Sequence, residues 1–210
     1  MSHGLMPNEV AEGTRLGLAP LARGLHRVGI TANAVTVIGV LITCAGAALL
    51  TLDRPLPALI VLLAGALSDT LDGQLAKAAG GGTRFGAFLD STLDRVSDAA
   101  FACGAAALGA RLDDPVLFWS ALIGLVASFL VSYVRAKAES MGATATVGLM
   151  PREARLTVLL IGIGVWGVLG LYQVFVAAVA IVALLSVVTL LQRVAFVARA
   201  LNTTPKEGPR

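Results

Sequence analysis

The chain has 210 residues, of which 57% are hydrophobic and only 14% charged, with a formal net charge of +3. A mean hydropathy of +0.84 excludes an ordinary soluble domain and marks an integral membrane protein. The small basic excess comes without an aromatic-interleaved basic surface, which argues against nucleic acid as a partner.

The first readable element is the stretch 8–27, where Leu16, Leu18, Leu21 and Leu25 interleave with Arg15, Arg23 and Arg27. This is the pattern of an amphipathic helix lying on a membrane surface. The stretch carries acids and no basic patch leading straight into an apolar core, so it does not read as a cleaved signal peptide. Apolar runs of roughly the 20 residues needed to cross a bilayer as helix follow near 33–52, 56–78, 86–110, 115–138, 154–171 and 173–198. The expected fold is an all-α integral membrane protein with six transmembrane helices over 33–198, a juxtamembrane helix over 8–27 and a polar tail over 200–210. All of it forms one membrane domain. Cys44 and Cys103 sit inside apolar runs and read as small hydrophobes, not as a disulfide or zinc ligands. The small residues of "DAAFACGAAALGA" suit close packing of the third span, with a second copy of the chain as one partner.

Orientation follows from the cations. Arg54 and Arg111 stand beside Asp53, Asp113 and Asp114 in the gaps on one side. The other side collects Arg15, Arg23, Arg27, Lys77, Arg84, Arg135, Lys137, Arg152, Arg155, Arg193, Arg199, Lys206 and Arg210. The positive-inside rule makes that second side cytoplasmic, with both termini there, in a multi-pass protein of the cell membrane.

Against this apolar background the segment "DTLDGQLAKAAGGGTRFGAFLDSTLD" stands out. Gly80, Gly81 and Gly82 break the second span from the third, leaving Asp69 and Asp72 at the end of one helix and Asp90 and Asp94 at the start of the next. On a helix Asp69 and Asp72 lie about 60° apart and Asp90 and Asp94 about 40° apart, so each pair shares a face. A short turn makes the helices antiparallel neighbours, and all four carboxylates converge near one membrane surface. Burying four ionised aspartates costs on the order of 10 kcal/mol on insertion scales. Arg84 and Arg95 neutralise two at most, and a hard divalent cation suits the remaining oxygen cluster. The alternatives are salt bridges that lock the helices and a cation-coupled transporter, although a relay spreads its acids across the bilayer depth. Gly73 and Gly86 leave room for a ligand to approach the backbone or for close helix packing. Thr31 and Asn33 stand where the first span begins and read as helix caps. Asp98 continues the face of Asp90 and Asp94 one turn deeper, as a hydrogen-bond acceptor behind the cluster.

The spacing Asp69-x2-Asp72-Gly73-x2-Ala76-Lys77-x8-Gly86-x3-Asp90-x3-Asp94 closely resembles the signature of the CDP-alcohol phosphotransferases, departing only at Lys77, where the pattern has arginine. The segments "LARGLHRVGITANAVTVIG", "SYVRAKAESMG" and "PREARL" resemble those of the bacterial phosphatidylinositol-phosphate synthases within that family. The resemblance implies transfer of the phosphatidyl group of CDP-diacylglycerol to inositol phosphate, with CMP leaving. Phosphatidylglycerophosphate synthase is the alternative acceptor class, because the motif handles only the common donor. The resemblance further implies that Asp69, Asp72, Asp90 and Asp94 hold two Mg2+ ions, replaceable by Mn2+, and that Asp94 also takes the proton. It assigns the donor to Thr31, Ala32, Asn33, Ala34, Asp69, Gly73, Lys77 and Thr83, and it implies a homodimer. Cations of three span ends, Lys137, Arg155 and Arg193, are expected to grip the phosphate of the acceptor. Arg135 and Lys137 lie about 160° apart on a helix, so one of them faces the site, and the resemblance favours Lys137.

Overall fold

A computed structural model describes residues 8–203 of the chain, with side-chain burial defined from Gly17 onward. The terminal residues, including the expected tail cations Lys206 and Arg210, lie outside the described residues, as do the side chains of Arg15 and Leu16. The described residues form α1 (Asn8–Arg27), α2 (Ala32–Thr51), α3 (Pro55–Ala78), α4 (Arg84–Arg111), α5 (Pro115–Ser140), α6 (Arg152–Leu169) and α7 (Tyr172–Thr203). The six expected spans correspond to α2 through α7.

Four of these helices, α2, α3, α5 and α7, are long and apolar enough to cross a membrane. The other two are diluted by charge. Asp90, Asp94, Arg95 and Asp98 sit on α4, and Arg152, Glu153 and Arg155 crowd the first turn of the 18-residue α6.

Short turns make successive helices antiparallel. At the end away from the aspartates, Asp53 (φ 59°) and Asp113 (φ 53°) adopt left-handed backbone, and prolines at the first turns of α3 and α5 restart the chain. Asp114 caps α5 by accepting from the Leu117 amide at 3.0 Å and also accepts from the Tyr172 hydroxyl at 3.0 Å. Arg111 ties the two turns together by donating to the Thr51 carbonyl at 2.8 Å. At the aspartate end, Thr31 and Thr83 cap α2 and α4 by accepting from the Ala34 and Gly86 amides. The left-handed Gly170 (φ 72°) closes α6.

The core runs along the bundle around Leu50, Leu62, Phe101, Leu117, Ile163, Trp166 and Phe175 and reaches the aspartate end at Met150 and Ala154. Small residues bring the helices close. A β-carbon at position 104 would lie 2.7 Å from the carbonyl oxygen of Ala47 on α2, and one at 109 would lie 2.7 Å from the Phe118 amide on α5. The buried members of the small-residue stripe therefore meet α2 and α5 of the same chain. The first helix is amphipathic as expected: Leu21 is exposed, whereas Ala22 and Leu25 pack with Val35 and Leu75, so one face of α1 docks on α3.

Helix α2 packs against α3 and α4, α5 against α4 and α7, and α6 against α7 and α3. The backbones of α4 and α6 stand apart: among the described residues no Cα of one comes within 8 Å of the other. The space between them holds the site.

Candidate active site

Asp69 on α3 and Asp90 and Asp94 on α4 each offer a carboxylate oxygen, and these oxygens all lie within 4.8 Å of one another. The expected convergence is present for three of the four aspartates. Asp72 is buried one turn along α3 and accepts a 2.6 Å hydrogen bond from Thr36 Oγ1 through Oδ2. Three hard oxygen donors this close fit a divalent cation of the Mg2+ or Mn2+ kind, since carboxylates so spaced repel each other without one.

Arginine supplies the cationic charge around these acids. Arg152, at the first turn of α6, reaches Asp94 Oδ1 at 2.8 Å, Asp69 Oδ2 at 3.5 Å and Asp98 Oδ1 at 3.4 Å. Arg95 lies 3.5 Å from Asp94 and 3.8 Å from Asp98, and Arg155 lies 3.6 Å from Asp98. The salt-bridge alternative is thus present in part: three arginines hold Asp94 and Asp98, while Asp90 makes no ion pair among the described residues. Asp98 serves as the expected acceptor, and its partners are the arginines. Arg84, expected to share the neutralisation, is exposed at the first position of α4. Arg152 was legible in the sequence only as a topological charge, because nothing in the local pattern shows which neighbour an arginine will reach.

Two cavities meet at the aspartates. One, of about 80 Å³, descends among α2, α3, α4 and α6 from Asp69, Asp94 and Arg152 to an apolar floor of Leu62, Phe101 and Leu159. The other, of about 610 Å³, opens at the α1–α2 and α3–α4 turns, and Thr31, Ala32, Asn33, Gly73 and Thr83 line it together with Asp72 and Asp90. Five of the eight expected donor contacts are therefore gathered in one cleft. Asp69 faces the smaller cavity, the Ala34 amide donates to the Thr31 cap of α2, and Lys77 is exposed one turn beyond Gly73. A β-carbon at Gly73 would meet nothing within 4 Å. Helix packing does not require that glycine, which leaves approach of a ligand as the reason for it. His26 of α1 also lines the cleft, a contribution that the sequence pattern of a surface helix conceals.

The expected acceptor cations Lys137, Arg155 and Arg193 stand on α5, α6 and α7. Arg155 is buried and lines a separate space beside Asp98, Ser120 and Ser128. Arg193 is buried and donates to the backbone carbonyls of Val147 and Val131, both at 2.9 Å. Lys137 is exposed, and Arg135 pairs with Glu139 at 2.9 Å. Both Arg135 and Arg155 lie within electrostatic reach of Arg193.

Residues 29–191 match the family model described as CDP-alcohol phosphatidyltransferase. The chain belongs to this family. The cation-coupled transporter is thereby set aside in favour of an enzyme. The chain is 44% identical over 150 residues to the phosphatidylinositol phosphate synthase of Mycobacterium marinum, which covers 70% of this chain and 63% of that protein. It is similar in structure to the crystal structure of the Mycobacterium tuberculosis phosphatidylinositol phosphate synthase with CDP-DAG bound. That likeness has a TM-score of 0.82 at 36% identity and covers 92% of this chain and 97% of the other. The same Mycobacterium tuberculosis enzyme in complex with manganese and citrate gives a TM-score of 0.82 at 37% identity, covering 92% of each chain.

Proposed function

We propose that this protein transfers the phosphatidyl group of CDP-diacylglycerol to inositol phosphate, forming phosphatidylinositol phosphate and CMP. The observation that carries the reading is the convergence of Asp69, Asp90 and Asp94 within 4.8 Å at the head of a cleft lined by Thr31, Asn33, Gly73 and Thr83. Relatives named for this reaction, one solved with CDP-DAG and one with manganese, support it.

In this mechanism a hydroxyl of inositol phosphate attacks the β-phosphorus of the donor, a new P–O bond forms, and the pyrophosphate bond to CMP breaks. Two divalent cations held by Asp69, Asp72, Asp90 and Asp94 would neutralise the pyrophosphate and stabilise departing CMP. Thr36 fixes the Asp72 carboxylate. The cleft residues seat the nucleotide, with Lys77 at its outer end as a phosphate contact less directional than arginine. Asp94, held by Arg152 at 2.8 Å, takes the hydroxyl proton. Arg155 and Arg193 confer preference for a phosphorylated acceptor, with a cation of α5 completing the pocket. The whole chain acts as one domain of the cytoplasmic membrane, with its site and both termini on the cytoplasmic side, and assembles as a homodimer.

Purified protein with Mg2+ or Mn2+ is expected to release CMP from CDP-diacylglycerol when given inositol phosphate and not when given free inositol or glycerol 3-phosphate. Release with glycerol 3-phosphate alone would move the protein to the phosphatidylglycerophosphate synthases. No release with any alcohol would sink the transferase reading.

A further inference from the structure

The α5–α6 connector, residues 141–151, is held from outside itself. The Met150 amide donates to Thr189 Oγ1 of α7 at 3.0 Å, in a buried bond, and the same hydroxyl donates onward to the Leu185 carbonyl at 2.8 Å. Gly148 (φ 140°) lies against the Thr189 methyl so closely that a β-carbon there would overlap Cγ2. Arg193, one turn further along α7, donates to the Val147 carbonyl. Met150 and Thr189 are both buried, at 3% and 0% exposure. The connector ends at Pro151, and the next residue is Arg152.

That register matters because the backbones of α6 and α4 stand apart, with no Cα–Cα approach within 8 Å among the described residues. Arg152 spans the gap between them by side chain alone, to Asp94 at 2.8 Å and Asp98 at 3.4 Å, while also reaching Asp69 on α3. The Arg152–Asp94 ion pair is therefore set by where the first turn of α6 stands, and a displacement of about 1 Å would lengthen the 2.8 Å contact close to the limit of direct pairing.

We infer that Thr189 and Gly148 form a clamp that sets the first turn of α6 and thereby positions Arg152 against Asp94. Thr189 touches neither cavity at the aspartates and is a positioning residue acting through the connector. The inference rests on the transferase reading for its kinetic part only, and its structural part is measurable in a protein of any function.

The test uses the full chain in detergent or nanodiscs. Thr189→Val keeps the shape and removes the acceptor, whereas Thr189→Ser keeps the acceptor and removes the methyl. Hydrogen exchange of the peptide covering 141–151 is expected to show one amide losing at least tenfold protection in Thr189→Val and keeping it in Thr189→Ser. In CMP release, Thr189→Val is expected to lower kcat about tenfold with the donor KM within about twofold, and Thr189→Ser is expected to restore kcat. In an Arg152→Gln background Thr189→Val is expected to add no further loss, because the path it acts through is already cut. Gly148→Ala, which presses on the same methyl, is expected to repeat the pattern and serves where the valine variant does not fold. Unchanged exchange in both variants, or a full tenfold loss on top of Arg152→Gln, would overturn the clamp. Absence of CMP release by the wild-type chain would instead strike the transferase reading and leave the exchange result standing.

Discussion

Asp90 is the member of the aspartate cluster whose removal separates stability from activity. It lies within 4.8 Å of Asp69 and Asp94 by carboxylate oxygens, yet it makes none of the ion pairs that tie Asp94 and Asp98 to arginine. Two unit charges 4.8 Å apart repel by about 3.5 kcal/mol at an effective dielectric of about 20 and by about 0.9 kcal/mol in water. Asp69 is 44% exposed and Asp94 17%, so solvent screens the first pair far more than the second. Arg152 and Arg95 attract Asp90 and offset part of this repulsion, leaving a net destabilisation of the cation-free protein of about 1–3 kcal/mol. Asp90→Asn removes both repulsions and breaks no salt bridge. In the presence of a chelator its melting temperature is expected to rise by several degrees, at roughly 2–4 °C per kcal/mol for a chain of this size. Adding Mg2+ or Mn2+ is expected to raise the wild type strongly and the variant little, and CMP release by the variant is expected to vanish. A variant that melts at or below the wild type in chelator, or that keeps more than a few per cent of its turnover, would refute this account of the cluster.

Other substitutions divide the site by step. Asp94→Asn is expected to lower kcat far more than donor affinity, whereas equal loss of both in steady-state assays would make ligation its main task. Lys77→Arg is expected to be tolerated and Lys77→Ala to raise the donor KM, since the alanine removes an exposed phosphate contact. Arg155→Ala is expected to raise the KM for inositol phosphate roughly ten- to a hundredfold, the loss of one charge-assisted contact, while the donor KM stays near its original value. Thr36→Val is expected to weaken donor-dependent cation binding, because the buried Asp72 loses its 2.6 Å partner, and an unchanged cation titration would argue against a ligating role for Asp72.

The fold was legible because hydropathy and turn residues act locally. The six expected spans agree with α2–α7 within a few residues, and Thr31 caps its helix as its position implied. The aspartate cluster was legible for the same reason, since helical periodicity and a short turn fix which side chains converge. What the sequence withheld are contacts chosen by tertiary packing. The reach of Arg152 from α6 to α3 and α4 depends on how far the helices stand apart. The docking of α1 through Ala22 and not Leu21 depends on which stripe the α2–α3 surface accepts. Arg193 adds contacts of the same kind: beside the acceptor role proposed for it, two of its donors go to the Val147 and Val131 carbonyls, which no local pattern shows.

The two helices least able to cross a membrane unaided, α4 and α6, are the two that face each other across the site. Each lacks an uninterrupted apolar stretch because it carries charges whose partners lie on the opposite helix: Asp94 and Asp98 on α4, Arg152 and Arg155 on α6. Neither set is tolerable alone in an apolar layer, and together they largely neutralise one another. The four apolar spans, α2, α3, α5 and α7, surround this pair with apolar surface and close glycine contacts. A gap that side chains bridge and backbones do not can admit a charged headgroup, exchange arginine contacts for contacts to the ligand, and close again without unpacking a helix interface. The cost of holding charge among apolar helices and the opening needed by the proposed headgroup are therefore met by the same arrangement, in which the backbones of α4 and α6 stand apart and are bridged at the site end by arginine and aspartate.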